Sequence, residues 1–366
     1  MLETCAQHPK MNPAAAPNPE WESFYRKDIT EKLPTFSRDG RLCDCLFAQQ
    51  FDRDLLDRLC RLADHMRDIT KTRHGDDFLR GLLANKRAML FFSQPSTRTF
   101  LSFMSACQIL GIRVLEIRDL KTSSQVKGES IEDTIRTFAA YVDLIIMRHH
   151  TPGFVEKASW VLQTGHRPVS VINAGSGADQ HPTQALLDIY TLNRYLPGGL
   201  DGKHLVMVGD LKRGRTVRSL SYLMKNYQGV RLTFVAPEAF RMEPDILAFL
   251  NRHQIPHRET DDLASTLKEA DAVYMTRIQD EHDAGGESQR VDYSPFHIGT
   301  AQMAKLPKHA VLMHPLPRRE EIHPDVDKDP RAVYWRQERN GMWIRTALIA
   351  YLFRMEKAVL GHHSEG

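Results

Sequence analysis

Short apolar runs alternate with helix-patterned segments along this chain, and the alternation occurs twice. In the first half the runs fall at residues 87–92, 114–117, 142–147 and 169–173. In the second they fall at 205–210, 230–235, 272–275 and 310–313. A run that is apolar at nearly every position is buried on both faces, as in a parallel sheet covered by helices on each side. Between the runs, residues 54–71 carry Leu55, Leu56, Leu59, Leu62, Ala63 and Met66 on a helical stripe. Residues 97–110 likewise place Phe100, Phe103, Met104, Cys107 and Leu110 on one face. Residues 216–226, 244–253 and 263–270 read as the helices of the second half. The predicted class is α/β, with two doubly wound parallel-sheet domains joined by helices. The expected divisions are a flexible N-terminal extension at 1–40, a first domain at 41–190 and a second at 191–342. A C-terminal helix and tail at 343–366 completes the chain. That helix is expected to be opened by Asn340-Gly341 and to run over 343–360, with the first domain as its candidate packing partner.

Composition excludes several functions. Lys and Arg total 49 against 46 Asp and Glu, a net +3 too balanced for a nucleic-acid partner. No apolar run reaches the ~18 residues of a membrane helix, so no membrane partner is expected. The start lacks an apolar core and a cleavage pattern, so it does not read as a signal peptide; the Pro-Ala-Asn stretch from Met11 reads as a tail. The five cysteines, Cys5, Cys43, Cys45, Cys60 and Cys107, are odd in number and scattered. Cys43-Asp-Cys45 is too tight for zinc spacing and has no second pair nearby. Reduced thiols, a cytoplasmic location and no metal or organic cofactor are the expectation.

Five segments carry chemistry. Ser96-Thr97-Arg98-Thr99 follows a strand and opens a helix. There, free N–H groups, the helix dipole, three hydroxyls and a guanidinium suit a phosphate. A plain helix cap with a surface arginine is the alternative. His181-Pro-Thr-Gln184 opens another helix, and residues three apart can address one ligand. Such an imidazole can donate to a carbonyl oxygen and the amide can meet a carbamoyl NH2, although a histidine at a helix start is also common as a structural group. Gly209-Asp-Leu-Lys-Arg-Gly-Arg215-Thr216 and Tyr274-Met-Thr-Arg277-Ile-Gln279 lie at strand ends, where open parallel sheets bind ligands. Arg215 and Arg277 could clamp a dicarboxylate, whereas Lys212, Arg213 and Arg218 read as a solvated basic turn. His314-Pro-Leu-Pro317-Arg318 is a stiff loop that exposes the Leu316 carbonyl. The second half lacks the G-x-G-x-x-G turn of a dinucleotide site, and no Walker pattern is present.

In this order, the five segments resemble those of aspartate carbamoyltransferases, within the aspartate/ornithine carbamoyltransferase superfamily, over roughly residues 45–352. S-T-R-T and H-P-x-Q mark the superfamily; G-D-L-K-x-G-R-T and H-P-L-P resemble the aspartate branch, where ornithine-type members carry H-C-L-P. The resemblance implies transfer of a carbamoyl group from carbamoyl phosphate to L-aspartate in pyrimidine biosynthesis, with a carbamoyl-phosphate-binding first domain and an aspartate-binding second domain. It implies that Ser96, Thr97, Arg98, Thr99 and Arg148 hold the phosphate. Arg98, Thr99 and His181 would surround the carbonyl oxygen, while Gln184, Leu316 and Pro317 face the carbamoyl NH2. Arg215, Arg277 and Gln279 would hold aspartate. Ser123 and Lys127, from a loop of the neighbouring subunit, would complete the site in a homotrimer, with Lys127 both catalytic and aspartate-binding. A cis Leu316–Pro317 peptide is implied as well. Gln94, Phe100, Ser176 and His282 depart from the family pattern, the first and last at positions linked to domain closure. Another amine acceptor, such as ornithine, and a non-catalytic scaffold are the competing readings.

Overall fold

The computed structural model describes residues 18–119, 129–163, 169–176, 180–279, 286 and 291–365. Two parallel sheets dominate it. The first contains β3 (Arg87–Phe92), β4 (Arg113–Ile117), β5 (Leu144–Arg148) and β6 (Ser170–Asn173), in the spatial order β4-β3-β5-β6. A small antiparallel hairpin of β1 (Ser37–Arg38) and β2 (Arg41–Leu42) precedes it. The second sheet contains β7 (His204–Val208), β8 (Arg231–Val235), β9 (His257–Thr260), β10 (Ala272–Met275) and β11 (Val311–Met313), ordered β11-β10-β7-β8-β9. Every pairing within the two large sheets is parallel.

Both faces of the inner strands β3, β5, β7 and β10 are buried, which explains their nearly continuous apolar character, whereas the edge strands β4 and β9 are partly exposed. In the first sheet Ala88, Leu90 and Ile146 face one core, while Met89, Phe91 and Ile145 face another. In the second, Leu205, Met207 and Tyr274 turn to the same core as Leu90, while Val206, Val208 and Val273 turn away. One continuous apolar layer therefore runs between the two sheets. The helix Pro182–Tyr195 passes through it, and eleven of its residues from Pro182 to Leu192 are buried.

Three expectations need correction. The chain is folded from well before residue 40. Asn18 caps the helix Pro19–Tyr25 by accepting from the Glu20 and Trp21 N–H groups. Trp21, Phe24 and Phe36 are buried, with Trp21 5.7 Å from the Trp160 ring. Trp21 and Phe24 are one helical turn apart and carry enough apolar surface to hold the segment down; of the Pro-Ala-Asn stretch that suggested a tail, Asn18 and Pro19 form the start of this helix, and the rest lies outside the described residues. The C-terminal helix begins at Tyr334, not Trp343, and ends at Leu352; a second helix, Glu356–Glu365, follows. Gly341 sits inside the helix because neighbours approach it closely. A Cβ there would lie 3.0 Å from both Leu187 Cδ2 and Arg345 Nη1. The 334–352 helix packs on the helices Arg53–Ile69, Thr97–Ile109 and Pro182–Tyr195, so it does lie on the first domain. The third correction is β9, an edge strand whose His-Arg-Glu-Thr sequence has no apolar run to reveal it.

Cys43, Cys45, Cys60 and Cys107 are free thiols. The residue between the first two has a structural role. Asp44 is fully buried and accepts from Ser159 Oγ (2.7 Å), Gln163 Nε2 (2.6 Å) and the Val171 N–H (2.7 Å).

Candidate active site

Each sheet reverses its winding direction once. In the first, β3 leads outward to β4, and β5 then returns to the other side of β3. In the second, β7 leads to β8 and β9, and β10 returns to the other side of β7. The carboxyl ends of β3/β5 and of β7/β10 are therefore switch points, where no crossover helix blocks the crevice. Three of the five sequence segments emerge at these two points, after β3, β7 and β10, and the other two follow the neighbouring strands β6 and β11.

At the first switch point, Ser96 is the N-cap of the helix Thr97–Ile109, but its side chain makes no capping bond. Its hydroxyl and the unpaired N–H groups of the first turn remain open to a ligand. Arg148 ends β5 and is buried; Nη1 reaches the Ala174 carbonyl at 3.4 Å, and Nε has no partner among the described residues. Burial, with Arg215, Arg98 and Arg345 nearby, pulls the Arg148 guanidinium down to about 9. Arg345, also buried, is pulled down to about 10 by its desolvation. Its Nη1 donates to Ser102 Oγ at 2.7 Å, and its Nε has no partner among the described residues. Clustered cations in a low-dielectric crevice form a site poised for an anion.

His181 caps its helix by accepting the Gln184 N–H at Nδ1 (3.3 Å), and donates its own N–H to Ser219 Oγ at 3.0 Å. Burial first, then Arg215, Arg148 and Arg345, hold its pKa well below the usual histidine value. The imidazole is therefore neutral, and with Nδ1 accepting, its proton is on Nε2. Gly175 makes room for the ring: at φ +91° it lacks a Cβ that would sit 2.4 Å from His181 Cδ2. Gln184 Nε2 donates to Asp188 Oδ1 at 3.0 Å, which leaves Oε1 as the free end of the amide.

The loop after β11 is held by His314, whose Nδ1 accepts the Leu316 N–H at 2.7 Å and whose Nε2 pairs with Glu321 at 2.9 Å. Leu316 has φ +53°, and the Leu316–Pro317 peptide is cis. At the second switch point Arg215 opens the helix Arg215–Leu223, and Arg277 and Gln279 follow β10. Buried Asp210 orders this region by accepting the Arg213 N–H (3.1 Å) and the Gln279 N–H (3.2 Å). Arg218 is paired with Asp245 at 2.5 Å and Arg213 with Asp210 at 3.7 Å; both side chains are largely covered, so these two arginines are ion-paired rather than the solvated turn expected of them.

These parts converge on one cleft of about 680 Å³. Ser96, Thr97, Arg98, Thr99, Arg148, His181 and Gln184 line it from the first domain. Arg215, Arg277, Gln279, Leu316 and Pro317 line it from the second. Ser123, Lys127 and His282 lie outside the described residues. The sequence reading missed Asp188, Glu338 and Arg345. The last two lie on the 334–352 helix seven residues apart, hence on one face two turns apart, a spacing that polar residues in a packing helix could have betrayed. Among the described residues no group of three or more His, Cys, Asp and Glu side chains could hold a metal ion.

Residues 44–194 match the family model described as aspartate/ornithine carbamoyltransferase, carbamoyl-P binding domain, and residues 201–352 match its Asp/Orn binding domain. The chain belongs to the aspartate/ornithine carbamoyltransferase family. Within that family it is 42% identical over 336 residues to aspartate carbamoyltransferase 3, chloroplastic, of Pisum sativum, covering 87% of this chain and 82% of the relative. It is also 42% identical over 305 residues to the multifunctional protein CAD of Squalus acanthias, covering 83% of this chain but 13% of that larger protein. Among solved structures of the family, aspartate transcarbamoylase of Trypanosoma cruzi with carbamoyl phosphate and aspartate superposes with a TM-score of 0.76 at 35% identity, covering 84% of this chain and 95% of that one. The same enzyme with N-(phosphonacetyl)-L-aspartic acid gives 0.76 at 35% identity over 84% and 94% of the two chains.

Proposed function

We propose that this carbamoyltransferase moves the carbamoyl group of carbamoyl phosphate to the amine of L-aspartate, giving N-carbamoyl-L-aspartate and phosphate. The observation that carries the reading is the single cleft in which the phosphate-suited helix start faces Arg215 and Arg277. Five arginines and one carboxylate, Glu338, line it among the described residues, a balance that favours an anionic acceptor over a cationic one such as ornithine.

In this reading Ser96, Thr97, Arg98, Thr99 and Arg148 hold the phosphate, and Arg215, Arg277 and Gln279 hold the aspartate carboxylates. Gln184 Oε1 and the Leu316 carbonyl accept from the carbamoyl NH2. The neutral amine attacks the carbamoyl carbon, and Arg98, Thr99 and the Nε2–H of His181 stabilise the oxyanion as it forms. The bond from that carbon to the bridging phosphate oxygen breaks, and the departing phosphate takes the amine proton. Most of the advantage comes from holding two anions together in attacking geometry, for which proximity alone supplies up to ~7–11 kcal/mol.

We further place Ser123 and Lys127 in the neighbouring subunit's site within a homotrimer, on the family resemblance of their segment. Cysteine usage supports a cytoplasmic location, although the relatives in Pisum sativum and Oryza sativa are named chloroplastic. No described helix is long and apolar enough to cross a membrane. The test is turnover of carbamoyl phosphate with aspartate and, in parallel, with ornithine, using Arg98→Ala as control. Aspartate-dependent turnover that falls at least about a hundredfold in the variant is expected; ornithine-only turnover would overturn the acceptor.

A further inference from the structure

One buried carboxylate lies behind both acceptors that the proposed reading assigns to the carbamoyl NH2. Asp188 is fully buried on the helix Pro182–Tyr195, one turn beyond Gln184. Its Oδ1 accepts Gln184 Nε2 at 3.0 Å and Gln337 Nε2 at 2.7 Å, and its Oδ2 accepts the Tyr274 hydroxyl at 2.9 Å. Three donors converge on it, one of them from β10 in the second domain. Gln337 is itself fixed in orientation, because its Oε1 accepts the His314 N–H at 2.9 Å. His314 in turn accepts the Leu316 N–H at 2.7 Å. A continuous chain of hydrogen bonds thus runs from Gln184 through Asp188, Gln337 and His314 to Leu316.

The consequence concerns which end of an amide faces the ligand. A glutamine amide has one accepting and one donating end of nearly equal size, and only its partner selects between them. An acceptor behind Gln184 consumes its NH2 and leaves Oε1 forward. The same acceptor anchors Gln337, which anchors the loop carrying the Leu316 carbonyl. We propose that Asp188 is the positioning residue that makes the cleft read a carbamoyl NH2, by turning the Gln184 oxygen and the Leu316 carbonyl toward one point. A ligand with a methyl group in place of that NH2 would leave both oxygens unpaired, and this is where discrimination arises. The inference rests on the functional reading above and adds to it a residue that touches neither substrate.

The experiment compares carbamoyl phosphate with acetyl phosphate, which differs by that single group. The KM for carbamoyl phosphate, the inhibition constant of acetyl phosphate and the affinity for inorganic phosphate are measured for wild type, Asp188→Leu and Asp188→Asn. In Asp188→Leu the preference for carbamoyl over acetyl phosphate should shrink about tenfold or more, while inorganic phosphate affinity stays within about twofold. Asp188→Asn keeps an acceptor without the charge, and should hold most of the preference whatever its turnover. An unchanged preference in Asp188→Leu, or equal loss in both variants, overturns the proposal. If Asp188→Leu does not fold, Gln337→Met cuts the arm to Leu316 and should shrink the preference in the same direction; no change there overturns it too. Failure of the wild type to carbamoylate aspartate would instead overturn the functional reading.

Discussion

The carboxylate that faces the cleft directly is Glu338. Burial raises its pKa, against the opposing pull of Arg345 and Arg98. Its charge offsets those arginines while the cleft is empty and repels a phosphate dianion when it arrives. Glu338→Gln is therefore expected to tighten inorganic phosphate about three- to tenfold at pH 8, measured by calorimetry. The effect has a definite sign with pH. With its pKa raised, Glu338 is ionised at high pH and gains a proton as pH falls, so the gap between variant and wild type should narrow toward acid. A gap independent of pH would show that the ionised carboxylate is not its source. Gln94 and Glu338 both line this cleft, so Glu338 is its one carboxylate among the described residues.

At the scale of elements, the 334–352 helix is both packing and site. Trp343, Ile344, Ala347 and Leu348 bury its apolar side, while Gln337, Glu338 and Arg345 present polar groups to the cleft and to Asp188. The close approach at Gly341 sets how near this helix sits to Leu187. Gly341→Leu should overpack that crossing and cost about 1–3 kcal/mol of stability, read from denaturant unfolding. Turnover should fall with it, because the helix carries Gln337 and Arg345 away from their partners. Stability unchanged within about 0.5 kcal/mol would mean that the crossing has slack.

At the scale of the whole molecule, the cleft stores unfavourable positive charge that Glu338 offsets only in part and an anionic ligand relieves further. Arg148 and Arg345 are both desolvated, with an unpartnered Nε on each among the described residues. An anion that binds the folded chain alone stabilises it by mass action, about 2.7 kcal/mol at a hundred times its dissociation constant. Inorganic phosphate should therefore raise the melting temperature in proportion to the logarithm of its concentration, and Arg98→Ala should flatten that dependence. A chloride salt at matched ionic strength that raised it equally would point to general screening instead.

Legibility differed sharply between kinds of residue. The run at 87–92 became β3 and the run at 272–275 became β10 with unchanged limits, because a strand buried on both faces must be apolar throughout. Ser96–Thr99, His181, Arg215 and Arg277 were legible because each follows a strand and opens or neighbours a helix, where local backbone geometry already dictates a binding site. β9 and the helix at Pro19–Tyr25 were not, since the first is a polar edge and the second has only a few aromatics to mark it. Asp188, Glu338 and Arg345 were also hidden. Nothing near them in the chain says that an aspartate amid Leu187 and Ile189 will meet Gln337, 149 residues away, at 2.7 Å. The sequence by itself determined the two sheets and most of the groups that line the cleft, because periodicity and strand-end motifs act within a few residues. Which carboxylate orients those groups was decided only by the tertiary structure, because burial and long-range hydrogen bonds exist only once the helices have packed.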